Sequence, residues 1–452
     1  MRHELANYAA LIVLGVTALQ TDDARGQNGR TEDVRAFFAI IESDYALSNA
    51  ISQAATEEER ISLKVKQEAE RKQLHPKLMT LAESYPETVG ALAALYGASF
   101  LQPVPETTPS ATQLFLKQAS NVNTEQLARA ISIGRSASSE KGVNPEIARY
   151  LMTRVKGEPH DAMAADLLIG ACRLTMGDED DAQPSSEFIE AADLIELNYA
   201  ASPSLCNFCE LLESRKWGGM FERHLKTLLE KNEDRAVRCA AAFALPAVIQ
   251  LTTGDRQTEA ADMYERFLAD FDGTHEYHYQ DIENDRRLSA ARELNRLKHC
   301  PINAAAPEIN GTDLEGQRLV LSDYRGKVVL LSFWATWCKP CLECIPHEKS
   351  LTEKFAKEGF VILGVNGDSD TKQAHITAAK CGITWRSFCD EWSGTERISA
   401  EWSIHGWPTF YLIDRDGIIR RRFWGQFLSF AEIEAAIQQL LAEDRSHSED
   451  RD

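Results

Sequence analysis

The chain has 452 residues, 44% of them hydrophobic, and a formal net charge of −20. That length exceeds one ordinary core, so two or three domains are expected, and the apolar fraction argues against a disordered chain. The acidic balance excludes nucleic acid as a partner, because phosphate binding needs a basic face.

The first element is an apolar run, Ala6 to Leu19, centred on Leu11, Ile12, Val13, Leu14 and Val16. It is shorter than the ~20 residues that span a bilayer and has the length of a signal-peptide core. Arg2 and His3 precede it, although Glu4 weakens the positive end. Small-residue patterns at Val16-Thr17-Ala18 and Ala24-Arg25-Gly26 offer cleavage sites. Residues 1–26 are therefore expected to be a signal peptide or an amino-terminal membrane anchor, which places the protein outside the cytoplasm, in the periplasm or on a membrane. The rival reading is the first amphipathic helix of a cytosolic protein.

From Thr31 to Cys300 the apolar period is helical. Leu78, Leu81, Ala82 and Tyr85 form one stripe, and Val89, Leu92, Leu95 and Tyr96 form another after Pro86. Met263, Phe267, Leu268 and Phe271 form a third, followed by Leu288, Ala291, Leu294 and Leu297. These stripes predict an all-α domain over 31–300, a bundle or an array of helical hairpins, without a fixed repeat period. Such a region suits a protein partner. The acidic loop Gly177 to Ser186 lacks the central glycine and terminal glutamate of a calcium loop. His275-Glu276-Tyr277-His278 has no further metal ligands near it in sequence. Both read as solvated loops.

Pro301 to Pro307 interrupts the helical period and reads as a linker over 301–307. Beyond it the pattern changes. Val328 to Trp334, Val361 to Val365 and Phe410 to Ile413 have strand length, while Pro340 to Lys357, Thr371 to Cys381 and Phe430 to Ala442 are helical. Strands alternating with helices predict an α/β domain over 308–443, with parallel strands first. Asp416-Gly417 predicts an antiparallel hairpin before the closing helix. Residues 444–452 are expected to be a disordered tail.

Within this domain, Cys338-Lys339-Pro340-Cys341 follows a strand and opens a helix. Unpaired N–H groups and the macrodipole at a helix start favour a thiolate at Cys338, and Lys339 adds positive charge. Pro340 is tolerated in a first helical turn. Cys341 follows one turn later, in reach of a disulfide with Cys338.

The segment from roughly Ala306 to Leu441 resembles the TlpA/ResA-like thiol–disulfide oxidoreductases of the thioredoxin superfamily. The resemblance rests on Gly326-Lys327-Val328-Val329-Leu330-Leu331, Trp337 with the Cys-x-x-Cys, Pro346, Gly406-Trp407-Pro408-Thr409, Leu412-Ile413-Asp414 and Asp416-Gly417. It implies a thioredoxin fold and exchange with protein thiols and disulfides, driven by an unidentified electron donor. It implies no metal and no cofactor beyond the Cys338–Cys341 disulfide. It also implies a cis peptide at Pro408 and a substrate chain lying along Trp337, Trp407, Pro408 and Thr409. Cys338 is expected to face solvent and attack, and Cys341 to resolve.

Two positions depart from the family. Ser332 stands where thioredoxins carry a buried acid, and Cys344 where this family carries a glutamate. Glu343 and Glu348 are expected on other helix faces, so no carboxylate is expected to serve Cys341. A metal site built from Cys338, Cys341, Cys344 and His347 is set aside, because all four would lie on one short helix. Cys344 is read as a small buried hydrophobe.

Cys206-Asn207-Phe208-Cys209 lies in a helical stretch and reads as packing, as do Cys172, Cys239 and Cys300. Bonding between Cys381 and Cys389 is left open. Two rival functions stand beside the oxidoreductase. One is a peroxiredoxin-like peroxide reductase, although Ala335 occupies the place of the threonine such an enzyme needs. The other is an interaction protein whose helical region binds partners.

Overall fold

The computed structural model describes residues 31–53, 57–86, 88–99, 110–134, 143–161, 163–176, 183–213, 218–250, 256–272, 280–390, 392–393, 396–425 and 428–449. The apolar run at 6–19, most of the acidic loop at 177–186 and the His275 to His278 segment lie outside them. The chain forms two compact units, Met1–Ala241 and Ala242–Asp452.

The first unit is helical, as the apolar stripes predict. Its helices are α1 (Thr31–Gln53), α2 (Glu57–Ser84), α3 (Val89–Ala98), α4 (Ala111–Ala119), α5 (Thr124–Gly134), α6 (Pro145–Gly157), α7 (Ala164–Leu174), α8 (Ser186–Asn198), α9 (Cys206–Glu213) and α10 (Glu222–Lys231). Local chemistry sets several starts. Ser110 and Gln113 form a reciprocal capping box at α4, Asn144 caps α6 ahead of Pro145, and Ser185 caps α8. Helices pair as hairpins, and polar side chains tie one hairpin to the next. Asn144 donates to Thr112 at 3.0 Å, Lys156 meets Glu190 at 2.5 Å, and Asn232 donates to the Ala200 carbonyl at 2.7 Å. α1 packs on α2, α2 on α3, α3 on α5, α6 on α7 and α7 on α8.

α11 (Arg235–Ile249) precedes α12 (Gln257–Asp270) and α13 (Gln280–His299), which pack as a hairpin. Then come β1 (Asn310–Thr312), β2 (Arg318–Val320), β3 (Val328–Trp334), α14 (Lys339–Phe355), β4 (Phe360–Asn366), α15 (Thr371–Cys381), β5 (Ser387–Cys389), β6 (Trp392–Ser393), β7 (Glu396–Arg397), α16 (Ile398–Glu401), β8 (Thr409–Ile413), β9 (Ile419–Trp424) and α17 (Phe430–Glu449). The main sheet has the order β5-β4-β3-β8-β9. β3 pairs in parallel with β4 and antiparallel with β8, so β3 is central. The predicted mixed sheet is therefore present, and Gly417 in its hairpin turn takes a positive φ of 76° that suits glycine.

Both sheet faces are covered, which explains why β3 reads as an unbroken apolar run rather than an alternating one. Val328 and Leu330 face a layer with Leu351 and Phe355 of α14 and Ile433, Ile437 and Leu441 of α17. Val329, Leu331 and Phe333 share the other face with Tyr411 of β8 and Ile419 of β9, and Cys300 and Trp402 pack on it. Cys300 thus joins this core from the end of α13.

The 301–307 stretch is hydrogen-bonded rather than loose. Asn303 N–H donates to the Ile419 carbonyl at 2.7 Å, Ile419 N–H returns a bond to Ala304 at 2.9 Å, and Ala306 donates to Gly417 at 2.9 Å. Gln257 of α12 brackets Ile302 through both of its backbone groups, at 2.9 and 2.7 Å. α17 continues to Glu449, into the stretch read as a tail.

Candidate active site

β3 ends at Trp334, and the chain turns through Ala335-Thr336-Trp337 into α14. Asp368 holds this turn, accepting from Thr336 N–H at 2.8 Å and Thr336 Oγ1 at 2.7 Å. Asn366, at the end of β4, donates to Asp368 at 2.8 Å. The anchor therefore sits two residues beyond the strand paired in register with β3. The sequence reading missed Asp368 because the contact spans two strands and leaves no local motif.

Cys338 caps α14, and Cys341 N–H lies 3.2 Å from the Cys338 sulfur. The two cysteines form a disulfide with Cα atoms 5.3 Å apart. Cys341 is 1% exposed and Cys338 only 4%. The expectation that Cys338 faces solvent is corrected here. Trp334, Ala335, Ala378 and Trp407 pack around the pair and leave only an edge of Cys338 open.

Trp337 is the exposed member of the site, at 63%. Its ring meets Trp407 edge-on at 5.7 Å, and Trp407 in turn meets Phe333 at 6.3 Å. Gly367 permits this packing, because a Cβ there would stand 2.6 Å from the Trp407 ring. The Trp407–Pro408 peptide is cis, and Pro408 is buried. Thr409 is fully buried and its hydroxyl donates to the Gly406 carbonyl at 2.8 Å, so its side chain braces the turn rather than facing a ligand. Pro340 is exposed in the first turn of α14. Lys339 lies 3.7 Å from Glu343, and that exposed ion pair dilutes its pull on Cys338.

Beneath the disulfide the sequence reading needs a second correction. The buried face of α14 carries Cys341, Cys344, Ile345, Glu348, Leu351 and Phe355. Glu348 is thus on the same face as Cys341, because seven residues make nearly two helical turns. It is 2% exposed, and Ser332 of β3 hydrogen-bonds its carboxyl. Burial pushes this carboxyl up to about 8, opposed by the Ser332 bond. Cys344 is buried as expected, and its thiol is pushed up to about 12 by burial, then by Glu348 and Glu343. His347 stacks on Phe430 at 4.5 Å.

Away from this site, Cys209 is buried in α9 and Cys206 is half-buried at its start. Asp193, Glu196 and His224 form the one described group with metal-ligand proximity. Arg223 lies 2.8 and 2.9 Å from the same two carboxylates and offsets one of their two charges.

A family model described as AhpC/TSA matches residues 302–422. The thiol-disulfide oxidoreductase ResA of Geobacillus kaustophilus is 34% identical over 124 residues, 27% of this chain and 70% of that protein. The thioredoxin-like protein YneN of Bacillus subtilis is 32% identical over 118 residues, 25% of this chain and 66% of that protein. Among solved structures, a thiol-disulfide oxidoreductase from Bacteroides fragilis is 27% identical, covers 29% of this chain and 98% of its own, and superposes with a TM-score of 0.26.

Proposed function

The chain belongs to the ResA-like thiol–disulfide oxidoreductases, and from that premise we propose that Cys338 and Cys341 exchange disulfides with protein substrates outside the cytoplasm. The observation that carries this reading is the Cys338–Cys341 disulfide at the start of α14, with Cys341 N–H directed at the Cys338 sulfur. A helix start stabilises the thiolate on Cys338, and the thiolate is the nucleophile. In the reducing direction, Cys338 attacks a substrate disulfide and forms a mixed disulfide. Cys341 then attacks the Cys338 sulfur, closes the internal disulfide and releases the substrate thiol. A thiol donor restores the dithiol.

The electrons are carried by the two sulfurs, so the exchange itself calls on no other group. Trp337 and Trp407 flank the open edge of Cys338, where an extended substrate chain would lie against the turn at Pro408. The apolar run at 6–19 supports export, and the helical region supplies surface for a protein partner. A peroxide reductase is disfavoured by Ala335 in the threonine position and by the pairing of Cys338 with Cys341.

The test is trapping. Cys341→Ser is expected to accumulate proteins joined to Cys338 by mixed disulfides that reductant releases. Exchange activity in Cys338→Ser, or peroxide turnover faster than disulfide exchange in the wild type, overturns the reading.

A further inference from the structure

Glu348 is a buried acid that the exchange reaction, as written above, does not use. Seven residues separate it from Cys341, a rise of about 10.5 Å along α14. Helical side chains lean toward the amino terminus, so its carboxyl reaches back past Cys344 toward Cys341. Ser332 reaches this carboxyl, whose Oε2 is buried with no hydrogen-bond partner. A buried oxygen of this kind is placed to accept a proton.

Among the described residues, no charged group contributes to the shift of this carboxyl. Cys344 faces it from the same helix as a neutral thiol. The register neighbours of Ser332 are Gly364 of β4 and Phe410 of β8. α17 contributes Ile433, Ile437 and Leu441 to this layer. Glu343 of α14 is solvent-exposed and paired with Lys339.

We propose that Glu348, held by Ser332, is the proton acceptor that frees the Cys341 thiol to resolve the mixed disulfide. The inference rests on the dithiol reading above. The Cys341 proton passes through one bridging water to the Glu348 carboxylate. The Cys341 sulfur then bonds to the Cys338 sulfur, and the bond from Cys338 to the substrate sulfur breaks. Its electron pair leaves on the substrate sulfur, which takes a proton from solvent. The dithiol is oxidised and the substrate disulfide is reduced. When a donor reduces the enzyme again, Glu348 returns its proton to the departing Cys341 sulfur. A carboxyl raised by burial to about 8 can both take and return a proton near neutral pH.

The experiment is stopped-flow reaction of the reduced full-length protein with Ellman's reagent, 5,5′-dithiobis(2-nitrobenzoate). Attack by Cys338 releases one coloured thiolate, and resolution by Cys341 releases a second. Glu348→Gln is expected to slow the second phase about a hundredfold at pH 8, where the carboxyl is about half ionised, the lower end of general acid–base effects. The first phase should change less than about twofold, and the deficit should close as pH rises and Cys341 ionises unaided. Ser332→Ala should move the second-phase profile to higher pH. An infrared difference spectrum of the wild type should show the carboxyl titrating at different pH in the oxidised and reduced proteins. A second phase that Glu348→Gln leaves unchanged, or slows equally at every pH, overturns the proposal, as does an infrared carboxyl band indifferent to redox state. A wild type without two phases overturns the dithiol reading itself. A normal first phase beside an unaltered second overturns only the role of Glu348.

Discussion

Burial of Glu348 ties the stability of its domain to pH, in the direction opposite to that of a salt-bridged carboxylate. The folded carboxyl is pushed from an ordinary 4.5 up to about 8 by burial, against the pull of Ser332. Below the unfolded value both states hold the proton and no cost arises. Between the two values the unfolded chain ionises while the folded one stays protonated, so stability falls by about 1.4 kcal/mol per pH unit. Above the folded value the loss levels off at about 3–5 kcal/mol. Glu348→Gln should therefore match the wild type near pH 4.5 and exceed it by about 3 kcal/mol at pH 7. Urea unfolding from pH 4.5 to 8.5 measures this, and parallel curves would show that the carboxyl is not held protonated. At this scale the two cysteines were plain in the sequence, because their spacing and their strand-to-helix setting are local. Glu348 was also within reach of helical arithmetic from Cys341, but an acid is ordinarily assigned to a solvent face. Asp368 had no such signal, since only strand pairing brings it to Thr336.

α13 acts as part of the scaffold of the thioredoxin-like sheet. Glu293 lies 2.7 Å from Arg296 and 3.3 Å from Arg422 of β9, and both arginine side chains are almost fully enclosed. Burial pushes the Glu293 carboxyl up, but Arg296 and Arg422 outweigh it and hold it below the usual range. Asn295 donates to Ser403 at 2.8 Å, and the Cys300 thiol points to the Glu401 carbonyl at 3.7 Å. The sequence presents 301–307 as a break because proline and alanine interrupt a helical period. It carries no sign of the pairing with β9, which depends on residues more than a hundred positions away. A fragment beginning at residue 302 would leave Arg422 without Glu293 and would uncover Trp402 and Tyr411. An uncompensated buried charge is among the costlier defects a fold can carry. We expect a fragment from 256 onward to unfold cooperatively. The fragment from 302 onward should bind a hydrophobic dye and lose near-ultraviolet circular dichroism. Equal unfolding midpoints for the two fragments would show that α12 and α13 are dispensable.

Across the whole molecule the fold class was legible, because the change from a helical period to alternating strands and helices marks where one architecture gives way to the other. The packing order of the helical region was not, because α3 packs on α5 as well as on α4 and no local pattern marks that contact. Ten cysteines in a chain expected to be exported pose a problem at this scale, since thiols entering an oxidising compartment tend to pair. The fold answers it by placement. Cys172, Cys209, Cys239, Cys300, Cys344 and Cys389 are buried, leaving Cys206 and Cys381 half-buried outside the disulfide. Burial raises the thiols of Cys172, Cys300 and Cys344, which removes the reactive thiolate as well as access to it. Cys206 and Cys381 belong to different units of the chain, so neither has the other as a near neighbour in sequence or in its own unit. The first 30 residues fused to a reporter should direct it out of the cytoplasm. Full-length protein recovered there should carry one disulfide, Cys338–Cys341. Iodoacetamide applied to that native protein should label Cys206 and Cys381 first, and the other six only after denaturation. Peptide mapping by mass spectrometry reads both results. Labelling of Cys344 as fast as Cys381 would mean the layer beneath the disulfide is open. A Cys206–Cys209 bond in the exported protein would mean that oxidation precedes the packing of α9.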